Sequence, residues 1–281
     1  MAFITPSTVA ATPVASQGAS SGKFAGIMPT PKSKWEWRLN TQYKPASRHS
    51  TGIPSLDEFF GGGVPNGLSI FWGGSGTGKS LAARNIAINQ TGKVLYICCE
   101  VLSDAPDRTK YPHVIVADYT RMRPNFQNAV NDLFGMITEL KPVLVVIDSL
   151  TSFLGVTNKA LPESSIREGI WSIHLNAEGL CPIIGTSEVR GVGYNMSTAG
   201  GEAVKHGCTM LVYFYKHFIV REAQLLGFPG KNIGDIVYTI EVQKDKHGRA
   251  CNRPEEVEYL DDTNYRIKSL RPKAIQDVKK K

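Results

Sequence analysis

Residues 73–80 read Gly-Gly-Ser-Gly-Thr-Gly-Lys-Ser, and this run constrains the chain more than any other. It satisfies the phosphate-loop pattern, from Gly73 through Gly78-Lys79-Ser80. Glycines permit the tight bend that turns successive backbone N–H groups toward phosphate oxygens. Lys79 supplies a positive charge near the outer phosphates, and the Ser80 hydroxyl is a ligand for magnesium. The apolar run Leu68–Trp72 before the loop reads as a strand. Leu81–Ile88 after it reads as a helix whose positive N-terminal end faces the phosphates. A Gly/Ser-rich surface turn has no need of that frame. Gly73, Gly74, Ser75, Gly76, Thr77, Gly78, Lys79, Ser80 and Leu81 are therefore the candidate nucleotide-binding residues.

The rest of the chain alternates strand and helix, which implies an α/β fold with a mostly parallel central sheet covered by helices on both faces. Val94–Cys99 and Val114–Ala117 are continuous apolar runs, hence buried strands. Phe126, Val130, Leu133, Phe134, Ile137 and Leu140 recur at helical spacing. Pro142 then marks the turn into Val143–Ile147, the most strand-like segment of all. A helix over 163–178 follows, then strands at 182–186, 209–214 and 236–242. Val257–Leu260 and Tyr265–Leu270 form an expected terminal β-hairpin.

Asp148 ends the strongest strand, where a carboxylate can hold magnesium directly or through water. Glu100 ends the strand at 94–99, which is expected to neighbour the phosphate-loop strand. From there Glu100 would face the space beyond the outer phosphate and could take a proton from water. Either residue could instead be an ordinary solvated strand end.

The charge distribution divides the chain. Residues 1–50 and 268–281 each carry a net +5, so that in a chain of net +7 the stretch between them is net −3. Basic ends suit an acidic partner such as nucleic acid, and serve equally as solubilising tails. Residues 1–31 are small, polar and aperiodic, the composition of a disordered tail. Residues 32–49 interleave Lys32, Lys34 and Arg38 with Trp35, Trp37 and Tyr43, as a linker or oligomerisation segment would. A core is expected over 50–270 and a basic tail over 271–281. No apolar stretch is long enough to span a membrane, and the N-terminus lacks the pattern of a secretory signal. The five cysteines have no metal-site spacing and suit free thiols in a reducing, cytoplasmic or DNA-associated setting.

Taken together, these motifs resemble the RecA/RadA recombinase family over roughly residues 50–260. The resemblance is carried by Thr51-Gly52-Ile53-Pro54-Ser55-Leu56-Asp57-Glu58, by Gly61–Gly67, by the loop and by Glu100. It continues in Val145–Ser149, in Gly200–His206 and in Gln243-Lys244-Asp245-Lys246. It implies a RecA-like P-loop NTPase core that uses ATP and Mg2+, with Ser80 and Asp148 at the metal and Glu100 activating water. Lys244 and Lys246 would complete the site of a neighbouring subunit. It further implies self-assembly into a filament or ring on single-stranded DNA, duplex DNA joining during pairing. The DNA contacts would come from two segments, about 151–165 leading to Arg167, and 191–199 with Arg190, Tyr194, Asn195 and Met196. One departure stands out. Where the family has Asn-Gln or close to it, coupling nucleotide to DNA, this chain has Ser187-Glu188. A carboxylate beside a polyphosphate is repelled unless a cation intervenes.

The activity so implied is a DNA-dependent ATPase that promotes strand pairing and exchange. Three other tasks fit the same loop. They are a hexameric helicase or recombination mediator, an ATP-gated annealing protein with little hydrolysis, and a kinase that needs no DNA. Removing 271–281 is expected to weaken duplex binding and flatten its salt dependence; unchanged binding across a salt titration would exclude a DNA role for this end.

Overall fold

The computed structural model describes residues 47–121, 126–155, 163–177, 180–190, 197–198, 201–251, 253–261 and 264–268. The chain divides into two units, Met1–Lys44 and Pro45–Lys281, and all described residues belong to the second. The expectations for 1–31, for 32–46 and for the tail at 271–281 lie outside the described residues.

Twelve strands and seven α-helices follow one another in the described chain. A two-residue pair, β1 (Arg48–His49) and β2 (Val64–Pro65), brackets the short helix α1 (Pro54–Phe59). The main sheet is built from β3 (Gly67–Gly73), β4 (Val94–Cys98), β5 (Val114–Asp118), β6 (Leu144–Asp148) and β7 (Pro182–Arg190). It is completed by β9 (Met210–Phe218), β10 (Ile236–Asp245), β11 (Glu255–Asp261) and β12 (Asn264–Lys268), while β8 (Ser197–Thr198) pairs with β7 alone. The order across the sheet is β12-β11-β10-β9-β3-β7-β6-β4-β5. From β9 to β5 every pairing is parallel; β10, β11 and β12 are added antiparallel.

One expectation is corrected here. The strand carrying Glu100 does not neighbour the phosphate-loop strand: β4 lies between β5 and β6, and both β6 and β7 separate it from β3. β4 and β6 are both buried throughout and each has a partner on either side, so burial alone does not distinguish their places, and the order is set by how the strands pair across the whole sheet.

Helices cover both faces, as alternation along the strands dictates. On one face Leu68, Ile70, Leu95, Ile97, Val145, Ile147 and Ile183 pack under α3 (Phe126–Leu140), α4 (Leu150–Phe153) and α5 (Glu163–Ala177). On the other, Phe71, Val94, Tyr96, Leu144, Val146 and Ile184 pack under α1, the phosphate-loop helix α2 (Lys79–Ile88) and the terminal hairpin. Burying each such side chain contributes about 1.5–3 kcal/mol. The five cysteines are free thiols; burial pushes Cys181 and Cys208 up to about 11 and raises Cys99 further. Among the described residues no helix is long and apolar enough to cross a membrane.

Arg48 and His49, which the sequence places in the linker, belong to the core. The Arg48 guanidinium pairs with Asp245 at 2.5 Å and donates to the carbonyls of Phe60 and Gly63 at 2.6 and 2.9 Å. Both side chains of the pair are at most 5% exposed. Burial works to raise the Asp245 pKa, but N–H donors from Ala250, His247 and Arg249, together with Arg48, hold the carboxyl below its usual value. Arg48→Ala would strand a buried carboxylate and is expected to cost about 3–5 kcal/mol in denaturant unfolding. Because the folded pKa is depressed, Asp245 contributes stability above its ordinary value of 3.8 and loses it as the pH falls through the folded pKa. The difference between variant and wild type should therefore shrink in that acid range, and a difference under 1 kcal/mol at neutral pH would contradict the assignment.

Candidate nucleotide site

The loop between β3 and α2 is shaped by one close approach and one left-handed glycine. At Gly73 φ is +153°, and a Cβ would lie 2.3 Å from the Phe214 carbonyl oxygen on the adjacent strand β9. At Gly78, the N-cap of α2, φ is +94°, a left-handed conformation. The N-terminal turn of α2 thus opens at the C-terminal end of the parallel strands, the end where ligands bind in open α/β sheets. Thr77 Oγ1 and Lys79 Nζ both donate to the Gly74 carbonyl, at 2.9 and 2.7 Å.

Strand alternation gathers the remaining groups. On β4, β6 and β7 the even-numbered residues Tyr96, Val146 and Ile184 belong to the α2 face. Asp148, Thr186 and Glu188 continue the same parity, and Asp148 joins the α2 side through Ser80. The Asp148 carboxylate is 8% exposed and accepts from Ser80 at 3.0 Å, Tyr96 at 2.9 Å and Thr186 at 2.5 Å. Three hydroxyls from three elements therefore fix its orientation. Bonding to Asp148 and burial together hold the Tyr96 hydroxyl well above its ordinary pKa, burial contributing most. Glu100 is exposed just beyond β4, and it reaches the site from two strands farther out than expected. It lines one cleft with Ser80, Tyr96, Cys98, Val101, Asp104 and Asp148.

Lys79 is 7% exposed. Burial lowers its pKa below 10.5, opposed by the negative fields of Glu188, Asp148 and Glu100, in that order. Glu188 thus lies within electrostatic reach of the loop's own lysine. Ser187, one residue earlier, is buried on the opposite face of β7, in a crevice with Ile70, Leu150, Leu154, Ile166 and Val204.

Lys244 lies level with the middle of β3 and Lys246 toward its start. Lys244 is level with Leu211 of β9, itself level with Ile70, and the Lys246 N–H bonds the carbonyl of Thr209, whose own N–H bonds that of Leu68. Lys246 is thereby set back from Gly73 by roughly 16 Å along the strand direction. Lys244, lowered in pKa by burial, donates to the last carbonyls of α6 (Glu202–His206), those of Lys205 and His206. Lys246 Nζ meets His174 Nε2 of α5 at 2.9 Å. Neither lysine belongs to the cleft of its own chain.

Of the expected DNA contacts, Arg167 is exposed on α5, in the helix that turns Ile166 and Ile170 inward. Arg190 ends β7, its backbone paired with Ser197. Tyr194, Asn195 and Met196 lie outside the described residues. Four residues of interest were not foreseen. Tyr96 and Thr186 stand at even positions of strands already recognised, so period-two alternation carried up to Asp148 was the signal that could have found them. For His174 and Asp104 no local signal exists.

The chain matches no known family model. It is similar to the DNA repair and recombination protein RadB of Pyrococcus abyssi (strain GE5 / Orsay), with 31% identity over 118 residues, 37% of this chain and 50% of that one. The match thus spans about half the length of that relative. Among solved structures, a KaiC-like protein from the hyperthermophilic archaeon Pyrococcus horikoshii OT3 superposes with a TM-score of 0.61 at 19% identity, covering 80% of this chain and 100% of that one. The fold is of the RecA type. In this RecA-type fold the sheet, flanking helices and loop hold Ser80 and Asp148 together, hard oxygen donors that suit magnesium with phosphate ligands.

Tyr96→Phe removes one of the bonds that hold Asp148. It is expected to raise the magnesium concentration needed for nucleotide binding roughly tenfold, the usual effect of losing a group that orients a metal ligand. Titration of magnesium against a fluorescent nucleotide reads this directly, and an unchanged midpoint would remove Tyr96 from the site.

Proposed function

We propose that the chain is an ATP-dependent, DNA-binding recombination protein that assembles with copies of itself on single-stranded DNA and promotes pairing and exchange. The observation that carries this reading is convergence. Ser80, Asp148 and Glu100 come from three separate segments and line one cleft at the mouth of the phosphate loop. The likeness to a DNA repair and recombination protein supports the DNA side of the reading.

Lys79 and the N-terminal N–H groups of α2 would hold the phosphates, and Ser80 with Asp148 would hold magnesium. Bound magnesium supplies charge neutralisation on the phosphate oxygens. Glu100, exposed at the cleft wall, would orient water and accept its proton as the water oxygen attacks the outer phosphorus. The bond to the bridging oxygen breaks and the diphosphate leaves. Lys244 and Lys246, being remote from their own loop, would act only on a neighbouring molecule, where a cation stabilises the charge of phosphoryl transfer. Arg167, Arg190 and the segment holding Tyr194, Asn195 and Met196 would meet DNA.

Glu188 favours a second reading, nucleotide-gated DNA binding or annealing with little stimulated hydrolysis, because its charge opposes the outer phosphate.

ATP turnover measured with and without single-stranded DNA, beside electron micrographs of the same mixtures, separates these. Stimulation by at least tenfold together with filaments is expected. Binding without stimulation would select the second reading, and closed six-membered rings would point to a helicase. Lys79→Ala should abolish turnover, and Glu100→Gln should keep nucleotide affinity while cutting turnover by roughly two orders of magnitude or more. Wild-type rates in either variant would overturn the assignment.

A further inference from the structure

Glu188, exposed near the end of β7, takes no part in the transfer step proposed above. In the β3–β7 pairing, Glu188 is directly level with Gly73, the first residue of the loop. Parity along β7 directs it to the α2 side, while Ser187 is buried on the other. Of the three carboxylates whose fields reach Lys79, Glu188 acts most strongly, ahead of Asp148 and Glu100. The three differ in what balances them. Asp148 is held by three hydroxyl donors and is one of the groups that suit magnesium. Glu100 lies on the far side, at the cleft wall. For Glu188 no ion pair stands among the described salt bridges.

We propose that Glu188 sets the choice between nucleoside di- and triphosphates, disfavouring the additional outer phosphate in the isolated chain. This rests on the nucleotide-binding reading given above. A phosphate drawn to the loop comes to the end of β3 where Glu188 is level with Gly73, and a triphosphate brings more negative charge there than a diphosphate does. Lys79 cannot satisfy both at full strength. A diphosphate, held mainly by the loop N–H groups, is affected less. The isolated chain therefore favours the diphosphate, and a cation from outside it, such as one carried by a neighbouring copy, restores triphosphate binding. Glu188 is also two residues from the end of β7, where Arg190 pairs with Ser197 of β8.

The test is equilibrium binding of magnesium ADP and of a non-hydrolysable imido analogue of ATP to the full chain at low protein concentration, for wild type, Glu188→Gln and Glu188→Lys. Wild type is expected to bind the diphosphate at least as tightly as the triphosphate analogue. Glu188→Gln should shift the ratio of the two affinities toward the triphosphate by roughly tenfold, the scale of one like charge in a partly exposed site. Glu188→Lys should shift it further, and raising the salt concentration should shrink both effects. A merely structural role would move the two affinities together and leave their ratio alone. A ratio unchanged within twofold in both variants overturns the proposal while leaving nucleotide binding intact. Failure of wild type to bind either nucleotide overturns this proposal and the reading beneath it.

Discussion

A strand buried on both faces must still send alternate side chains in opposite directions, and the candidate site depends on which parity faces α2. Tyr96 and Thr186 both donate to Asp148 across β4, β6 and β7 because all three hold even positions on strands whose even residues face that helix. The register pairs Cys98 with Asp148, Ile147 with Gly185, and Gly73 with Glu188, so the polar groups surface together at the C-terminal ends. A slip of one residue in β6 would carry Asp148 to the face of α3 and α5 and leave Ser80 without it. The three bonds to Asp148 oppose such a slip only at the cleft. The slip is prevented by Val145, Ile147, Leu144 and Val146, which fill two separate cores at once. The chemistry is positioned by apolar packing on both sides of the sheet.

The parts of this arrangement readable from sequence are those encoded locally. The phosphate loop declares itself because its glycines, lysine and serine must occur at fixed spacing. The strand of residues 144–148 declares itself because five apolar or strand-ending positions follow a proline turn. Strand order is not local. A run buried on both faces looks the same whether it lies third or fifth in a sheet, and so Val94–Cys99 was expected beside the loop strand when β6 and β7 stand between. Glu100 arrives at the cleft nonetheless, since the residue after a strand projects beyond the sheet edge and is not confined to contacts with adjacent strands. Contacts of long sequence separation were equally illegible: Arg48 with Asp245 and His174 with Lys246 join segments whose composition gives no hint of the other.

The motif Thr51–Asp57 shows how a sequence signature can be structural without touching the cleft. Asp57 accepts from the Thr51 N–H and hydroxyl, both at 2.6 Å, and from the Ser50 hydroxyl at 2.5 Å. It closes the chain's entry onto α1, and Ser55 Oγ then receives the Ile267 N–H from the terminal hairpin at 3.1 Å. The approach to the loop is therefore tied to the last strand of the core. Arg48 makes a parallel tie from β1 to the turn after β10. In each case a polar group near the start of the core fastens the antiparallel extension of the sheet, where β-strands lack a helix crossover to hold them.

That extension matters because of where it carries positive charge. Around the loop, buried Lys79 feels three carboxylates, Glu188, Asp148 and Glu100, so the cleft as a whole is poor in cations for binding a polyphosphate. The core stretch of the sequence is net negative, and its two flanking ends are each strongly positive. Lys246 sits level with the start of β3 and Lys244 with its middle, each held by contacts to α5 or α6 at the end of β10. Within one molecule Lys246 and the phosphate loop cannot meet, because the sheet holds them several residues apart along the strand direction. Between two molecules stacked so that the start of one sheet faces the end of the next, they can. On the proposed reading, assembly is then the means by which a cation-poor cleft acquires counter-charge, and the separation of loop and lysines along one strand is the reason a single copy is insufficient.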